Sequence, residues 1–504
     1  MAARTVRPIH YIAYGVTDIL GAGSMAVVAG WILFFYSTFC GLSAVEATGI
    51  FAISRLLDAI WSPLVGHVSD HLGGTRLGRK FGRRRIILLC AIPFLPSFAF
   101  MWVGGHTYLY YLCTYVFFEL VYATVLVPYG TLAPEMTDDF KKLSLFAGVR
   151  MLFAQSSAIL AGVLPKLIIN TVGGKDSPDT FLIMGIIFSV LFMVVVFVTY
   201  LFSWEREGAA EAAAKAAKET SFLGAFGKLY YNVGSTMRIR AFRLHLGMYL
   251  GGYISQDIFN AAFTYFVVFA LSGSVAIASG MMGSMAFAQL VAVACFIPLI
   301  LWIQPAPSYR LACGLYILGI LGLLWLYHFQ PANIALLLYV PVLIAGLGRG
   351  GLNFIPWNIY NSIADVDEIV TGERREGIFA GVMIFVRKTT MAAAVMAVGL
   401  ILQVGGFVAG ATTQSPAARM TIVVLMAAGP ILLLIMGILI SLKFKLTKKT
   451  HAVLMREIAR FKNGEPAPAT PEDKAIVEDL TGWPYEKLWG KNPVAHRARP
   501  AKPV

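Results

Sequence analysis

The sequence predicts an all-α membrane protein: twelve transmembrane helices in two six-helix pseudo-repeats. Three observations predict it. Apolar residues come in long blocks, basic residues alternate from loop to loop, and a set of motifs recurs at nearly constant spacing.

The chain has 504 residues, of which 58% are hydrophobic and only 13% charged. Soluble domains carry about 25% charged residues. A mean hydropathy of +0.71 belongs to a chain whose main solvent is lipid. Blocks such as 86–104, 180–203, 310–328 and 417–442 are each long enough to cross a ~30 Å hydrocarbon core as a helix. The spans read as 11–38, 43–70, 86–104, 107–134, 143–170 and 180–203, then 241–271, 276–303, 310–328, 332–363, 377–404 and 417–442. Residues 1–203 form the first bundle, 204–240 a cytoplasmic linker, 241–442 the second bundle and 443–504 a cytoplasmic tail. The first apolar block is too long for a cleavable signal, so none is expected. The five cysteines are dispersed and read as apolar packing residues.

The loops carry the orientation. Arg76, Arg79, Lys80, Arg83, Arg84 and Arg85 separate the second and third blocks, and Arg374 and Arg375 the tenth and eleventh. The short loops near 39–43, 104–107, 272–275, 329–332 and 405–416 contain no Lys or Arg. Basic loops stay on the cytoplasmic side, which puts both termini and the linker inside and fits an even number of spans. The net charge of +14 is therefore a membrane-orientation signal, and nucleic acid is not an expected partner. Glu211 and Lys215 sit one helical turn apart in an alanine-rich stretch, which predicts a linker helix. The tail, with Pro466, Pro468 and Pro471 after a short helix at 450–462, reads as partly disordered and carries no assigned chemistry.

The repeat is weak but ordered. Val127-Pro128-Tyr129 in block four, followed by an acidic loop with Asp138 and Asp139, matches Ile355-Pro356-Trp357 in block ten, followed by an acidic loop with Asp365, Asp367 and Glu368. Phe146-Ala-Gly-Val149 matches Phe379-Ala-Gly-Val382, and Gly15…Asp18 matches Gly251, Gly252…Asp257. Duplicated six-helix bundles are the layout of the major facilitator fold, whose carriers bind solute between the halves.

Charges inside membrane helices are costly and so mark function. They are Asp18, Arg55, Asp58, Glu119, Arg150, Asp257, Arg349, Arg387 and Lys388. Arg55, Asp58 and Ser62 share one helix face, just before Pro63. A carboxylate there suits a proton or a small cation; an Arg55–Asp58 pair holding helices together is the alternative. Arg387 and Lys388 point about 100° apart and cannot both face one cavity, so one is expected near the cytoplasmic side. Cationic residues in blocks five and eleven suit a carboxylated or phosphorylated solute. Equally, Lys388 suits a charge partner for Asp58 that is released on cation binding. Tyr129 and Trp357 offer aromatic faces to a sugar, or pack between helices. Asn353, Trp357 and Asn361 share one face of block ten.

Four stretches carry a family resemblance. They are Tyr14-Gly15…Asp18; Arg55-x-x-Asp58…Pro63-x-x-Gly66-x-x-x-Asp70 running into Gly82-Arg83-Arg84-Arg85; Pro128-Tyr129…Pro134-Glu135; and Ala364-Asp365-x-Asp367-Glu368-x-x-Thr371-Gly372-x-Arg374-Arg375-Glu376-Gly377 followed by Lys388. The chain resembles the glycoside–pentoside–hexuronide:cation symporters, the group of the bacterial melibiose carrier. The resemblance implies cation-driven symport by alternating access. It maps the cation carboxylate onto Asp58 beside Ser62, the coupling lysine onto Lys388 and a substrate-side arginine onto Arg150. Asp18, Tyr129, Asp257, Asn353 and Trp357 complete the candidate solute site, and Asp70, Arg83, Arg84, Asp365, Glu368, Arg374 and Arg375 the gating loops. Departures narrow the reading. Ser62 stands where the sodium-coupled pattern has a second acid, which favours a proton over Na+. Leu126, and Gly21 or Ala22, stand where the family's sugar-binding acids would be, which favours a hexuronide-like anion over a galactoside.

The expected function is thus proton-coupled symport of a small glycoside or hexuronide in the cell inner membrane. No cofactor or metal is expected beyond the coupling ion, and the carrier is expected to be a monomer. An uncoupled facilitator, or a carrier of a more apolar solute, is the alternative. The alternative of another class is a membrane-embedded enzyme or receptor on the same scaffold; the sequence shows no ATP-binding loop, zinc-ligand cluster or nucleophile constellation.

Overall fold

The computed structural model describes residues 6–72, 75–137, 139–172, 177–205, 231, 233–373, 375–465 and 467–492. The expected linker helix at 211–218, Arg374 and the side chains of Asp70 and Asn361 lie outside the described residues.

The described chain is helical, with helices where the apolar blocks predict them. The first six are α1 (Pro8–Thr38), α2 (Ala44–Leu72), α3 (Arg85–Phe100), α4 (Tyr108–Gly130), α5 (Phe140–Val172) and α6 (Pro178–Phe202). The second six are α7 (Arg240–Tyr265), α8 (Val275–Ile303), α9 (Pro305–Phe329), α10 (Tyr339–Thr371), α11 (Glu376–Val404) and α12 (Pro416–Lys443). Ten of these are long and apolar enough to cross a bilayer. The exceptions have local causes. α3 is short and interrupted near Pro93 and Pro96. α7 carries Arg240, Arg243 and Asp257, and it buries most of its length against α10, α11 and α12 rather than meeting lipid. Starts follow capping chemistry: Ser274 and Ser415 accept the N–H of Ile277 and Ala418 at the heads of α8 and α12.

α1 is not a regular helix. Widened π turns at Ile19–Gly23 and Val28–Ile32 follow a break after Gly15, and Asp18 sits in that break. Such turns often mark functional positions.

The two sets of six helices meet at the end of the bundle away from the chain termini. On one side α5 crosses α8 so closely that a Cβ on Gly162 would lie 2.4 Å from the Gly283 nitrogen. There Ser279 Oγ donates to the Gly162 carbonyl (2.5 Å) and accepts the Lys166 N–H (2.9 Å). In the middle, Tyr265 Oη donates to the Leu33 carbonyl (2.9 Å), and Thr264 Oγ1 to that of Gly30 (3.1 Å). Gly410 N–H donates to the Ser37 carbonyl (2.9 Å). At the end bearing the termini, every ion pair among the described residues joins groups of the same half. The bundle is shut at one end.

Two expectations change. The acidic residues Asp365, Asp367 and Glu368 do not form a loop: α10 runs on to Thr371 and ends at Gly372, whose φ is +77°. The tail is also folded rather than disordered through most of its length. Helices α13 (Lys448–Lys462) and α14 (Pro471–Thr481) dock under α10 and α7. The two changes share one cause. Trp489 and Gly490 donate their N–H groups to the Ile369 (2.8 Å) and Val370 (3.1 Å) carbonyls, and Asn492 Nδ2 also reaches Val370 (2.7 Å). These are terminal helix carbonyls with no intrahelical partner, so the tail supplies the cap that lets α10 extend. Leu454, Ile458 and Phe461 bury the apolar face of α13, and Phe461 stacks on Trp489 at 5.3 Å.

Candidate functional site

Three buried ion pairs occupy the middle of the bundle. Asp58 on α2 is fully buried, and Lys388 on α11 reaches it with Nζ 2.5 Å from Oδ2. Its other oxygen, Oδ1, accepts the Ser62 hydroxyl at 2.6 Å. One turn of helix places Ser62 over Asp58, so the residue found where a second acid was sought satisfies the first one. The Lys388–Asp58 pair is the described ion pair that joins the two halves.

The second pair lies in the first half. Arg150 on α5 grips Asp18 with Nε–Oδ2 at 2.6 Å and Nη2–Oδ1 at 3.2 Å. Its guanidinium lies over Tyr129 (4.9 Å to the ring centre) and Tyr14 (5.9 Å). The two tyrosines lock each other: Tyr129 Oη donates to the Tyr14 carbonyl (3.0 Å), and Tyr14 Oη to that of Tyr129 (3.3 Å).

The third pair repeats the second in the other half. Arg387 on α11 grips Asp257 on α7 with Nη1–Oδ2 at 2.6 Å and Nη2–Oδ1 at 2.7 Å. Its guanidinium lies over Tyr253 at 4.9 Å, and Trp357 Nε1 donates to the Tyr253 hydroxyl at 3.3 Å. Tyr253 and Asp257 each lie 239 residues beyond Tyr14 and Asp18. Arg387 lies 237 beyond Arg150, and Trp357 lies 228 beyond Tyr129. Each half therefore carries one aspartate, one arginine and two aromatic residues at corresponding positions, but the ring nearest the guanidinium is Tyr129 in the first half and Tyr253, the counterpart of Tyr14, in the second.

The remaining intramembrane charges serve as braces. Arg55 does not pair with Asp58. It turns to Glu119 on α4 (Nη1–Oε1 2.8 Å) and lies over Phe51, so that alternative is set aside. Arg387 does not lie near the end bearing the termini; the 100° between it and Lys388 sends them to different carboxylates on different helices. Arg349 is buried over Phe259 and donates to Gln256 Oε1 at 3.2 Å. Gln256 Nε2 donates to Asn353 Oδ1 (3.1 Å), and Asn353 Nδ2 to Gln289 Oε1 (3.1 Å). Asn353 thus belongs to an amide chain rather than standing free in the cavity.

Within the three pairs the carboxylates lie deeper than the cations. The side chains of Asp58, Asp257 and Asp18 are 0%, 5% and 10% exposed, against 31% for Lys388, 18% for Arg387 and 36% for Arg150. A small, mostly apolar cavity between the halves, lined by Val28, Ile32, Phe51, Asp257, Ala261 and Met391, lies against the third pair. Asp257 is the charged residue that faces this cavity, among apolar side chains, and the cations of the three pairs are their more exposed partners.

The expected gating residues form two clusters, one per half. Arg83 Nη2 and Arg84 Nη1 meet Glu135 Oε1 at 2.9 and 2.8 Å. Glu205 accepts the backbone N–H groups of Arg83, Arg84 and Arg85 at 2.8–3.1 Å, where a carboxylate complements the head of α3. In the second half Arg375 grips Asp367 (Nε–Oδ2 2.9 Å, Nη2–Oδ1 2.6 Å). Asp365 meets His451 Nε2 of the tail at 2.8 Å, and Glu368 meets Lys462 Nζ at 2.6 Å. Sequence reasoning leaves Glu135, Glu205 and Arg387 without a partner and does not place Tyr14 or Tyr253 in the candidate solute site. The last two were legible, since both precede an intramembrane aspartate by four residues at the repeat spacing.

A family model described as MFS/sugar transport protein matches residues 13–448. An uncharacterized symporter of Synechocystis sp. is 25% identical, covering 90% of this chain and 97% of that protein. The glucuronide carrier protein homolog of Escherichia coli K12 is 22% identical over 93% of this chain and 98% of its own length. Among solved structures, that of the nucleoside transporter NupG superposes with a TM-score of 0.57 at 14% identity, covering 86% of this chain and all of NupG. This last likeness concerns the fold.

Proposed function

The chain belongs to the MFS/sugar transport family, and from that premise we propose that it carries a small anionic organic solute, a hexuronide or an acidic glycoside, together with a proton. It is a multi-pass membrane transporter and not an enzyme; it is a symporter of a small solute with a cation. The proton, the anionic character of the solute and the residues that bind them are our reading.

One observation carries it: Asp58 is fully buried, and its only charged partner among the described residues, Lys388, comes from the other half. Removing one charge of a buried pair strands the other at a cost of about 3–5 kcal/mol. Protonation of Asp58 therefore releases Lys388, which then needs another anion. A carboxylated solute entering the cavity meets that need. The proton raises the affinity for the solute, and by reciprocity the solute raises the affinity for the proton. Na+ is the poorer candidate. With Ser62 in place of a second acid, one carboxylate remains, and both its oxygens are engaged.

Arg150 and Arg387 offer bidentate guanidinium geometry suited to a carboxylate, each beside aromatic faces suited to a sugar ring. The basic loops favour an orientation with the end bearing the termini on the cytoplasmic side of the inner membrane. The closed end then faces outward, and the described state is open to the cytoplasm. Exchange of the α5–α8 and α2–α11 contacts for contacts between the gating clusters would complete alternating access.

The test is uptake into vesicles carrying the purified protein, under an imposed pH or Na+ gradient, across a panel of uronides and neutral glycosides. Accumulation of a uronide driven by the pH gradient and lost in Arg150→Gln is expected. Accumulation of neutral glycosides alone, or driving by Na+ alone, would overturn the corresponding part of the reading.

A further inference from the structure

α12 leaves the bundle at Lys443, and the next residues are extended, with Phe444 and Leu446 buried and Lys445 turned outward. Beside them the tail helix α14 closes over the head of α7. The result is a shallow surface recess lined by Leu244, Lys443, Lys445, Asp479 and Leu480. Asp479 is shared by Arg240 and by Lys445 (3.2 Å). Three cations thus face one carboxylate, and Lys443 has no acidic partner among the described residues. Lys448 and Lys449, both exposed, follow at once.

The face of α12 leading into this recess is apolar and uncovered. Leu432, Met436, Leu439 and Leu442 are exposed at three- and four-residue intervals, and Lys443 continues the row. A fatty chain fits that row while a charged head reaches the lysines. The recess also lies at the end of a membrane-spanning helix, at headgroup depth.

We propose that this recess binds the phosphate of an anionic phospholipid whose acyl chains lie along α12. Charge complementarity selects the headgroup: the uncompensated cations favour a lipid with net negative charge over a zwitterionic one. Because Asp479 and Leu480 belong to the tail, a bound lipid joins α12, α7 and α14 and holds the tail in place. The site is separate from the solute cavity and does not depend on the identity of the solute.

The test is native mass spectrometry of the full-length protein released from nanodiscs containing phosphatidylglycerol, phosphatidylcholine or both. One retained phosphatidylglycerol per protein is expected. Lys443→Gln/Lys445→Gln should weaken retention on the order of 30-fold, the loss expected for two basic contacts at a membrane surface. Lys443→Arg/Lys445→Arg should retain it, as should Lys448→Gln/Lys449→Gln, which removes equal charge outside the recess. Equal retention of phosphatidylcholine, or equal loss in the Lys448/Lys449 variant, would overturn the site. Displacement of the lipid by inorganic phosphate would assign the recess to a soluble phosphate ligand instead and overturn the proposal as well.

Discussion

The two halves carry the same buried arginine–aspartate pair and different polar groups around it. Tyr14, Asp18, Tyr129 and Arg150 in the first half correspond in position to Tyr253, Asp257, Trp357 and Arg387 in the second, and the bidentate Arg–Asp pair is the contact they share. Beyond these, the first half adds Arg55, Asp58 and Glu119, whereas the second surrounds Arg349 with the uncharged amides of Gln256, Asn353 and Gln289. Duplication supplied two equivalent walls for a cavity. The carboxylate proposed to drive transport, Asp58, lies in one of them, and a lysine of the other pairs with it.

The comparison can be broken by energetics. Arg387→Ala strands the deeply buried Asp257, and a loss of about 3–5 kcal/mol in unfolding free energy is expected. Arg150→Ala should cost less, roughly 1–3 kcal/mol, because the Arg150 side chain is 36% exposed and water screens its pair. Thermal unfolding of the purified variants measures both; equal losses would show that the halves do not differ in this way.

The contacts joining the halves offer a second contrast. On one side α5 and α8 meet through glycine, on the other α2 and α11 through an ion pair. Gly162→Leu has no room against Gly283 and should pry open the closed end. Labelling of a cysteine placed at Ser37, in a background lacking the five native cysteines, should then rise about tenfold with an impermeant thiol reagent. Unchanged labelling would mean that this crossing does not hold the state.

The smallest effect separates the aromatic partners. Tyr129→Phe removes the hydrogen bond to the Tyr14 carbonyl and should cost about 1 kcal/mol. Trp357→Phe loses a longer bond to Tyr253 (3.3 Å) and should cost no more. A larger loss for Trp357 in solute affinity than in stability would make the second half the main sugar platform.

Much of this was legible in the sequence because lipid leaves the chain few choices. Apolar length fixes the helices, and the cost of an intramembrane charge picks out Asp18, Asp58, Arg150, Asp257 and Lys388. Pairing was harder. Helix periodicity put Arg55 and Asp58 on one face, yet only the packing of α4 against α2 shows that Glu119 claims Arg55. Periodicity also separated Arg387 from Lys388 without saying that two different carboxylates waited for them. The tail is more ordered than its composition suggests for a related reason. Its prolines and charges suggest disorder when read alone, but their partners are the open carbonyls and acids at the end of α10, more than eighty residues earlier.

The most direct measurement of cation coupling through the cross-half pair is solute-induced proton movement into vesicles held without an initial gradient. With the native protein, adding the transported solute should alkalinise the external medium, and Asp58→Asn should abolish that signal while solute-for-solute exchange persists. A full proton signal in Asp58→Asn would remove Asp58 from coupling and with it the role assigned to Lys388.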